Sequence, residues 1–508
     1  MHAQSARISV KLSLRDLFPD ALFVDCADIA ITGISDDSRT LKPGDLFIAR
    51  RGIQVDGRRF IKDAVHQGAS AILSSSIEPD LKIPQCIVHE PHVAWGRICH
   101  ALAGNSMNDI SLVGITGTDG KTTTSLLTRN ILRQHGHQCG LMGTLECHDG
   151  VTGATTTMTT PSPPEIAHWV RSMRDRGTRH GIVEVSSHAL CQQRLEGLSC
   201  DVAMITNITR DHLDYHGSRQ AYIRSKERIF QYLNKNGTAI LNLNDAQSAA
   251  SKTYQTSATI TYGLEIDADI RGEILQSSRH GQQFRLQIAS EEAIVRIPLV
   301  GTHNVSNCLG AAAVAHHYGI PIGTIVSGLE TIGSIPGRLE HIESNVNFDV
   351  YVDYAHTSDA LKRVLQSLRS LTKGRLICVF GAGGNRDSGK RQAMGHVVET
   401  LADIAVITTD NPRNEDPFAI IHDITQGVTD KRHIYCEPDR RKAIQTSLQI
   451  ASSGDIVLIA GKGHETYQIV GTTRLDFDDR KVVQEEILSL PSNSSPENHS
   501  NQSLLEVI

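Results

Sequence analysis

Gly117-Thr118-Asp119-Gly120-Lys121-Thr122-Thr123 follows the apolar run ISLVGI (110–115) and opens a helix-compatible stretch reaching about Arg133. Glycines in such a turn let backbone N–H groups face an anion, the lysine supplies positive charge, and the threonine hydroxyl can bind Mg²⁺. The strict G-x-x-x-x-G-K-[ST] spacing is not met, because Ile115 stands where its first glycine would be; Gly114 and Gly117 are the nearest glycines. An ordinary glycine-rich turn would share this composition, but strand, Gly-Lys-Thr and helix in register favour a nucleotide site. The motif identifies a triphosphate site without choosing a reaction.

A second candidate is Lys226. Tyr222, Ile229, Phe230 and Leu233 recur at three- and four-residue spacing and define one face of an expected helix over 222–233, and Lys226 falls on that face. Its stem can simply snorkel, with the ammonium in water. Alternatively a buried amine with a depressed pKa reacts with CO₂ to give a carbamate, an oxygen ligand for Mg²⁺. Two neighbours in the pattern support the second reading. Glu184 sits inside the apolar strand IVEVSSH, and Asp211-His212-Leu213-Asp214 follows the strand VAMITNI. His212 and His216 are spaced for zinc, but no cysteine or third histidine joins them, and oxygen ligands beside a phosphate loop favour Mg²⁺.

The elements that must hold these residues alternate between strand and helix. ISLVGI (110–115), GIVEVSS (181–187), VAMITNI (202–208) and TAILNLND (238–245) are apolar runs ending in polar residues. They imply a largely parallel, doubly wound sheet whose ligand groups gather at the carboxyl ends of its strands. Before it, DLFIARRG (45–52) and ASAILSS (69–75) indicate a small α/β unit. After the break at Pro336-Gly337, VYVDYAH (350–356), RLICVFGAGG (375–384), DIAVITTDNPR (403–413) and DIVLIAGKGHE (455–465) repeat the strand-then-turn pattern. The expected division is 1–109, 110–335 and 336–490, with a polar, disordered tail over 491–508.

Composition agrees with this outline. A chain of 508 residues corresponds to roughly three domains. Apolar residues at 39% and charged residues at 21% support buried cores, and Lys+Arg 50 against Asp+Glu 56 argues against a broad nucleic-acid or anionic-membrane surface. Aromatics at 4% disfavour a stacking platform for single strands, and 41 glycines suit many strand-to-helix turns. The ten cysteines form no C-x-x-C pair, which points to free thiols in a reducing compartment. No apolar run reaches the ~18 residues of a membrane span. A cytoplasmic protein is expected.

GITGTDGKTTT, EVSSHAL, TNITRDHLDYHG, YIRSKERIF, GTHNVSN, PGRLE, VDYAHTSDAL, GAGGNRDSGKR, TTDNPRNEDP and AGKGHE occur in the order found in Mur ligases, which the chain resembles from about Asp36 to about Arg480. The resemblance implies a three-domain α/β fold: a UDP-binding unit, a central P-loop ATPase and a C-terminal Rossmann-like unit. It implies ATP-dependent amide formation through an acyl phosphate in peptidoglycan precursor synthesis. ATP, a UDP-N-acetylmuramoyl dipeptide and meso-diaminopimelate are the implied substrates, Mg²⁺ the metal and a monomer the implied state.

By motif match, Gly117 to Thr123 would hold phosphate, with Thr122, Glu184, His212 and carbamylated Lys226 on Mg²⁺. His303, Asn304 and Asn307 would lie near adenine, and Arg338, Asp353 and His356 would reach ATP from the C-terminal side. Ser38 and Arg39 would lie near uridine. Thr159, Thr160, Ser186, Gln192 and Arg194 would hold the muramoyl dipeptide. Asp410, Asn411, Pro412 and Arg413, with Arg391, Gly461 and Glu465, would hold diaminopimelate. Arginine pairs bidentately with a carboxylate and carboxylates take an ammonium, and the far end of diaminopimelate carries both groups whereas L-lysine has no far carboxylate. Asp119, Ser358 and Met158 depart from the family pattern, where asparagine, proline and, in some relatives, asparagine stand.

Three other readings remain in view. A lysine-adding, folylpolyglutamate or cyanophycin ligase lacks a use for Arg413 and the Asp36-Asp37-Ser38-Arg39 segment. A nucleotide-driven switch would bind ATP without amino-acid-dependent turnover. An oxidoreductase would need the GAGG run at 381–384 to complete G-x-G-x-x-G, which it does not.

Overall fold

The computed structural model describes residues 11–52, 55–251 and 258–490; the expected tail over 491–508 lies outside them. Three main sheets follow one another along the chain. The first has five strands in the order Leu22–Val24, Gln85–Ile87, Ala71–Ser74, Leu46–Ile48, Ile34–Ser35. All neighbouring pairs in it are parallel except the first.

The central sheet has eleven strands. Its middle is parallel and includes, in spatial order, Cys139–Met142, His180–Val185, Ser111–Thr116, Cys200–Ile205, Leu233–Asn242 and Ala258–Leu264. The innermost of these, such as Ser111–Thr116 and Cys200–Ile205, read as largely apolar runs because helices cover both faces. Residues 112–116 and 181–185 are buried without interruption. The register sets Val185 and Ile205 opposite Thr116, so three strands end on one line. Gly117, Ser186 and Thr206 therefore leave the sheet together.

Two helices brace that edge. Lys121–Gln134 buries Leu127, Ile131 and Leu132, and Thr302–His317 packs beside it, against the neighbouring strands of the same sheet. The second helix is apolar on nearly every side, and its run Ala311–Ala315 is wholly buried, as an enclosed helix requires. Antiparallel strands extend the sheet at both ends: Glu146–His148 with Gly153–Thr155 on one side, Gly281–Ile288 with Glu291–Ile297 on the other.

The helix expected over 222–233 is shorter than its apolar face suggests. The α-helix spans Arg219–Glu227, and Arg228–Tyr232 is 3₁₀. The strand Leu233–Asn242 begins at the next residue, so the chain tightens its last turn before extending. Lys226 remains on the buried side.

The third sheet has six strands in the order Glu340–His341, Asp349–Asp353, Ile456–Ala460, Leu376–Phe380, Ile404–Ile407, Ile434–Cys436, parallel apart from the first pair. Helix Ser358–Arg369 lies on it through Leu361, Val364, Leu365 and Leu368, a three/four spacing that forms one apolar stripe. Thr357 starts this helix by accepting a hydrogen bond from the Ala360 N–H. Truncating a buried leucine such as Leu365 to alanine would cost about 2–5 kcal/mol. Asp353, Gly381, Thr408 and Gly461 emerge where these parallel strands end. All ten cysteines are free thiols, and no helix among the described residues is long and apolar enough to cross a membrane.

Candidate active site

The phosphate loop is built by close approach. A Cβ at Gly117 would lie 1.8 Å from Thr206 Oγ1, and one at Gly120 would lie 2.3 Å from Asn307 Oδ1. Gly120 also has φ +83°, a left-handed conformation that glycine adopts without strain. Helix Lys121–Gln134 starts from Gly120 with no side-chain cap, so its first N–H groups are available to an anion. The Asp119 carbonyl accepts from Thr206 Oγ1 at 2.7 Å and Asn207 Nδ2 at 3.0 Å, which fixes the turn.

Two ammonium groups meet here. Lys121 Nζ donates to the carbonyls of Gly117 at 2.8 Å and Thr118 at 2.9 Å. Lys226 Nζ donates to the same Gly117 carbonyl at 2.7 Å and faces the Tyr222 ring. Lys226 is buried, and burial together with the charge of Lys121 pushes its pKa well below the usual lysine value. Burial lowers Lys121 as well, while Asp119, Glu184 and Asp211 oppose that shift.

Glu184 is fully buried and bonded from several sides. Its carboxylate accepts from Thr122 Oγ1 at 2.8 Å, Thr144 Oγ1 at 2.8 Å and the Thr144 N–H at 3.1 Å. His212 belongs to a neighbouring group. It has φ 52°, a strained setting for a side-chain-bearing residue, and its Nε2 lies 3.4 Å from Asp211 Oδ2. Burial, with His188, His356 and Lys226 nearby, lowers its pKa to about 3. Burial would raise Asp211, but His356 and His212 hold its carboxyl down at about 2. Among the described residues no hydrogen bond or ion pair joins Glu184 to His212, and Lys121 senses both clusters.

The third sheet reaches into this edge. Arg338 Nη2 donates to Thr122 Oγ1 at 3.3 Å, and the guanidinium lies over the Tyr354 ring. His356 Nε2 is 3.9 Å from Asp211. Arg363 Nη1 pairs with Asp119 Oδ2 at 3.0 Å. Asp353 accepts from the N–H groups of Leu339 and Ala355, both at 2.7 Å, so it shapes the backbone around Arg338; burial raises its pKa to about 6 against the pull of Arg338. On helix Thr302–His317, Asn307 Nδ2 donates to Asn304 Oδ1 and Asn307 Oδ1 accepts from Thr124. The buried His303 Nδ1 has no hydrogen-bond partner, and burial lowers the ring to about 4.

Thr159, Thr160, Ser186, Gln192 and Arg194 form one network beside the loop. Thr144 Oγ1 donates to Thr159 Oγ1 at 3.2 Å, Thr160 Oγ1 accepts from the Ser186 N–H at 2.9 Å, and Arg194 donates to the Thr160 carbonyl at 2.8 Å and to Gln192 Oε1. Through Thr144, this network shares Glu184 with the phosphate loop. Ser38 is buried in the first unit, whereas Arg39 is exposed and pairs with Asp37. Arg50 stacks over Trp95 and pairs with Asp36 in the same region.

On the third sheet, Asn411 Nδ2 bonds Asp410 Oδ1 at 3.0 Å and Glu465 Oε2 at 2.9 Å. Asn411 Oδ1 accepts the Ile469 N–H at 2.9 Å, which fixes the Pro412 turn against strand Tyr467–Val470. Gly461 has φ +115°, a backbone conformation that side-chain-bearing residues rarely adopt. Arg413 has φ 53° and donates to the Gly384 carbonyl at 2.9 Å. Burial and the nearby Arg386 lower its pKa.

Arg391 departs from expectation. Its guanidinium is buried and its terminal nitrogens are held by Asp423 and Glu415, both at 2.8 Å. As the first residue of helix Arg391–Leu401 it points inward and ties that helix to its neighbours. The arginine beside Arg413 is instead Arg386, which is exposed. Sequence reading also passed over Thr144, Asn207, Arg363 and Lys462. The lysine inside AGKGHE and the first arginine of GAGGNRDSGKR were available signals; Thr144, Asn207 and Arg363 acquire a role only through the fold.

Comparison with known proteins points to one family. The Mur ligase middle domain matches residues 115–315, the Mur ligase glutamate ligase domain 337–463, and the Mur ligase family catalytic domain 30–94. A UDP-N-acetylmuramoyl-L-alanyl-D-glutamate–2,6-diaminopimelate ligase from Solibacter usitatus is 39% identical over 476 residues, covering 92% of this chain and 95% of that protein. One of the same name from Bacillus licheniformis is 40% identical over 471 residues, covering 91% and 96%. A solved structure of a ligase with this name is 32% identical with a TM-score of 0.67, covering 94% of this chain and 99% of that one. MurF from Thermotoga maritima in complex with ADP shares the fold at 17% identity, with a TM-score of 0.59 and coverage of 90% and 96%. Matched by three family domains in sequence order and by relatives along nine-tenths of its length, the chain belongs to the Mur ligase family.

Proposed function

We propose that this ATP-dependent amide ligase joins meso-2,6-diaminopimelate to UDP-N-acetylmuramoyl-L-alanyl-D-glutamate, a step in peptidoglycan precursor synthesis. The observation carrying this reading is the placement of an uncapped, doubly lysine-lined phosphate loop beside the Thr160–Arg194 network, with the Arg413 pocket on the third sheet. In this reading residues 1–109 bind the uridine end, 110–335 bind ATP and the dipeptide, and 336–490 bind the amino acid.

The chemistry has two displacements. A carboxylate oxygen of the D-glutamyl side chain attacks the γ-phosphorus of ATP, the bond to the β-bridging oxygen breaks, and ADP leaves. The free amine of diaminopimelate then attacks the acyl carbon. The tetrahedral intermediate collapses with loss of phosphate, and the amine's proton goes to solvent or to a nearby base. Lys121, Arg338 and the helix N-terminus stabilise negative charge on the transferring phosphoryl group. Thr159, Thr160, Ser186, Gln192 and Arg194 hold the acceptor carboxylate in line. His303, Asn304 and Asn307 line the adenine side.

The loop suits Mg²⁺ because that ion takes one or two protein oxygens and completes its shell with phosphate and water. Thr122 and Glu184 offer such oxygens, and no group of three acidic, His or Cys side chains among the described residues forms a cage. When bound, the metal neutralises charge shared by the β- and γ-phosphates. Lys226 fits the carbamate reading on electrostatic grounds. Its amine is held toward the neutral form, and CO₂ addition with loss of a proton would replace repulsion from Lys121 by attraction. His212 would lie on the same side of the phosphates. For the amino acid, Arg386 takes the place expected of Arg391, joining Arg413 on the distal carboxylate while Asp410 and Glu465 take the ammonium.

The test is phosphate release from Mg²⁺-ATP and the UDP-linked dipeptide with added meso-diaminopimelate, L-lysine or neither. Release that requires diaminopimelate is expected. Release only with lysine would discard the reading of Arg413, and ATP binding without release in any mixture would discard the ligase.

A further inference from the structure

We infer that Lys462 sets the net charge of the amino-acid pocket and thereby excludes amino acids whose side chain ends in a lone ammonium; this rests on the reading of Arg413, Asp410 and Glu465 given above. Lys462 directly follows Gly461 at the end of strand Ile456–Ala460, and its side chain is fully buried. Its Nζ lies 3.0 Å from Glu465 Oε2, 3.4 Å from Asn411 Oδ1 and 3.9 Å from Asp410 Oδ1. The ring of Tyr467 closes another side. It thus contacts the groups assigned to the substrate's ammonium.

Two carboxylates facing a single ammonium would leave one negative charge uncompensated. Lys462 removes that excess, so the acidic side of the pocket presents one net negative charge. On the other side Arg386 stands close enough to Arg413 to disfavour the charge of Arg413. Counted together, Arg386, Arg413 and Lys462 exceed Asp410 and Glu465 by one positive charge. A side-chain end carrying both ammonium and carboxylate adds no net charge to this pocket. The end of L-lysine adds a second positive charge with nothing to offset it. Discrimination of this kind comes from what the wrong ligand meets as much as from what the right one gains. Lysine suits the role because its compact ammonium can sit between two carboxylates without demanding a bidentate plane.

The experiment measures kcat/KM for meso-diaminopimelate and for L-lysine in the full-length wild-type chain, in Lys462→Met and in Lys462→Met/Glu465→Gln. Wild type is expected to use diaminopimelate strongly in preference to lysine; a wild-type preference for lysine, or no turnover with either, overturns the functional reading and this inference with it. In Lys462→Met the preference ratio should fall at least about tenfold, mainly through KM, because the penalty on a second cation is removed. The double variant restores the one-charge excess and should recover most of the ratio. Should Lys462→Met fail to fold, Lys462→Gln carries the same expectation, since it keeps polar contacts to Glu465 and Asn411 without the charge. A variant in which both substrates lose activity equally, leaving the ratio at its wild-type value, assigns Lys462 to holding the loop and overturns the inference alone.

Discussion

The phosphate loop and the amino-acid pocket occupy equivalent places, at the carboxyl ends of parallel strands in two successive sheets, yet they handle charge in opposite ways. At the loop, Lys121 and Lys226 both point at the Gly117 carbonyl; burial lowers the pKa of both, and the charge of Lys121 lowers Lys226 further. In the C-terminal sheet nearly every buried cation has its anion. Lys462 meets Glu465, Arg391 meets Glu415 and Asp423, and Arg440 meets Asp479 with both side chains fully buried. A site awaiting a triphosphate must hold unneutralised positive charge, because the ligand brings four negative ones. A site that selects a zwitterion keeps most of its charges paired in advance, and the single positive charge left over among Arg386, Arg413 and Lys462 turns away a lone cation.

The largest effect expected from this contrast lies at Lys226. Lys226→Ala should lower kcat on the order of 10²–10³-fold, as loss of a group aimed at developing charge does, while folding stability is retained because a poorly compensated buried amine has been removed. Small carboxylates such as formate should restore part of the rate. Full activity in the variant would show that the loop's second lysine is merely packed, and would break the contrast on its more informative side.

The next effect separates two arginines five residues apart. Arg386→Ala should raise the KM for diaminopimelate about tenfold or more with little change in thermal stability, since Arg386 is exposed and no hydrogen bond or ion pair holds it among the described residues. Arg391→Ala should do the reverse, lowering stability by about 1–3 kcal/mol as Glu415 and Asp423 lose their partner. The estimate stays modest because both carboxylates keep substantial access to water. If Arg391→Ala leaves the melting temperature unchanged and impairs only diaminopimelate use, the pocket is not preassembled as described.

That pair of arginines also shows where sequence reading stops. The strands bearing Glu184 and the phosphate loop were legible because a strand covered on both faces must be apolar along its length and becomes polar where it ends. Lys226 was legible because a charged residue amid Tyr222, Ile229 and Phe230 conflicts with its helix face. The pairing Gly281–Ile288 with Glu291–Ile297 was not, since those strands alternate polar and apolar residues at the sheet's margin and Gln282, Gln283 and Arg285 dilute the pattern. Arg386 and Arg391 are equally plausible ligands in GAGGNRDSGKR. The choice depends on Glu415 and Asp423, which lie 24 and 32 residues further along and meet Arg391 only after helices Arg391–Leu401 and Pro417–Thr425 pack. Lys462 is hidden for the same reason: its partner Asp410 comes from another strand end.

The smallest effect tests the one place where the phosphate loop carries its own anion. Asp119 would face a triphosphate with like charge, and its counter-ion, Arg363, comes from helix Ser358–Arg369 of the third unit. The two side chains are 31% and 32% exposed, so their pairing is worth only about 0.2–1 kcal/mol by itself. Its consequence for ATP is directional. Arg363→Met should weaken ATP binding several-fold, because it releases an unpaired carboxylate beside the phosphates. Asp119→Asn should do little or slightly strengthen binding. The double variant should resemble Asp119→Asn, since Arg363 has nothing left to neutralise there. Measured by ATP titration on all four proteins, that pattern makes the loop's positive character depend on a residue contributed by the other nucleotide-facing unit. Simple additivity would mean that Arg363 acts on ATP directly, and the phosphate loop would then carry its charge unaided.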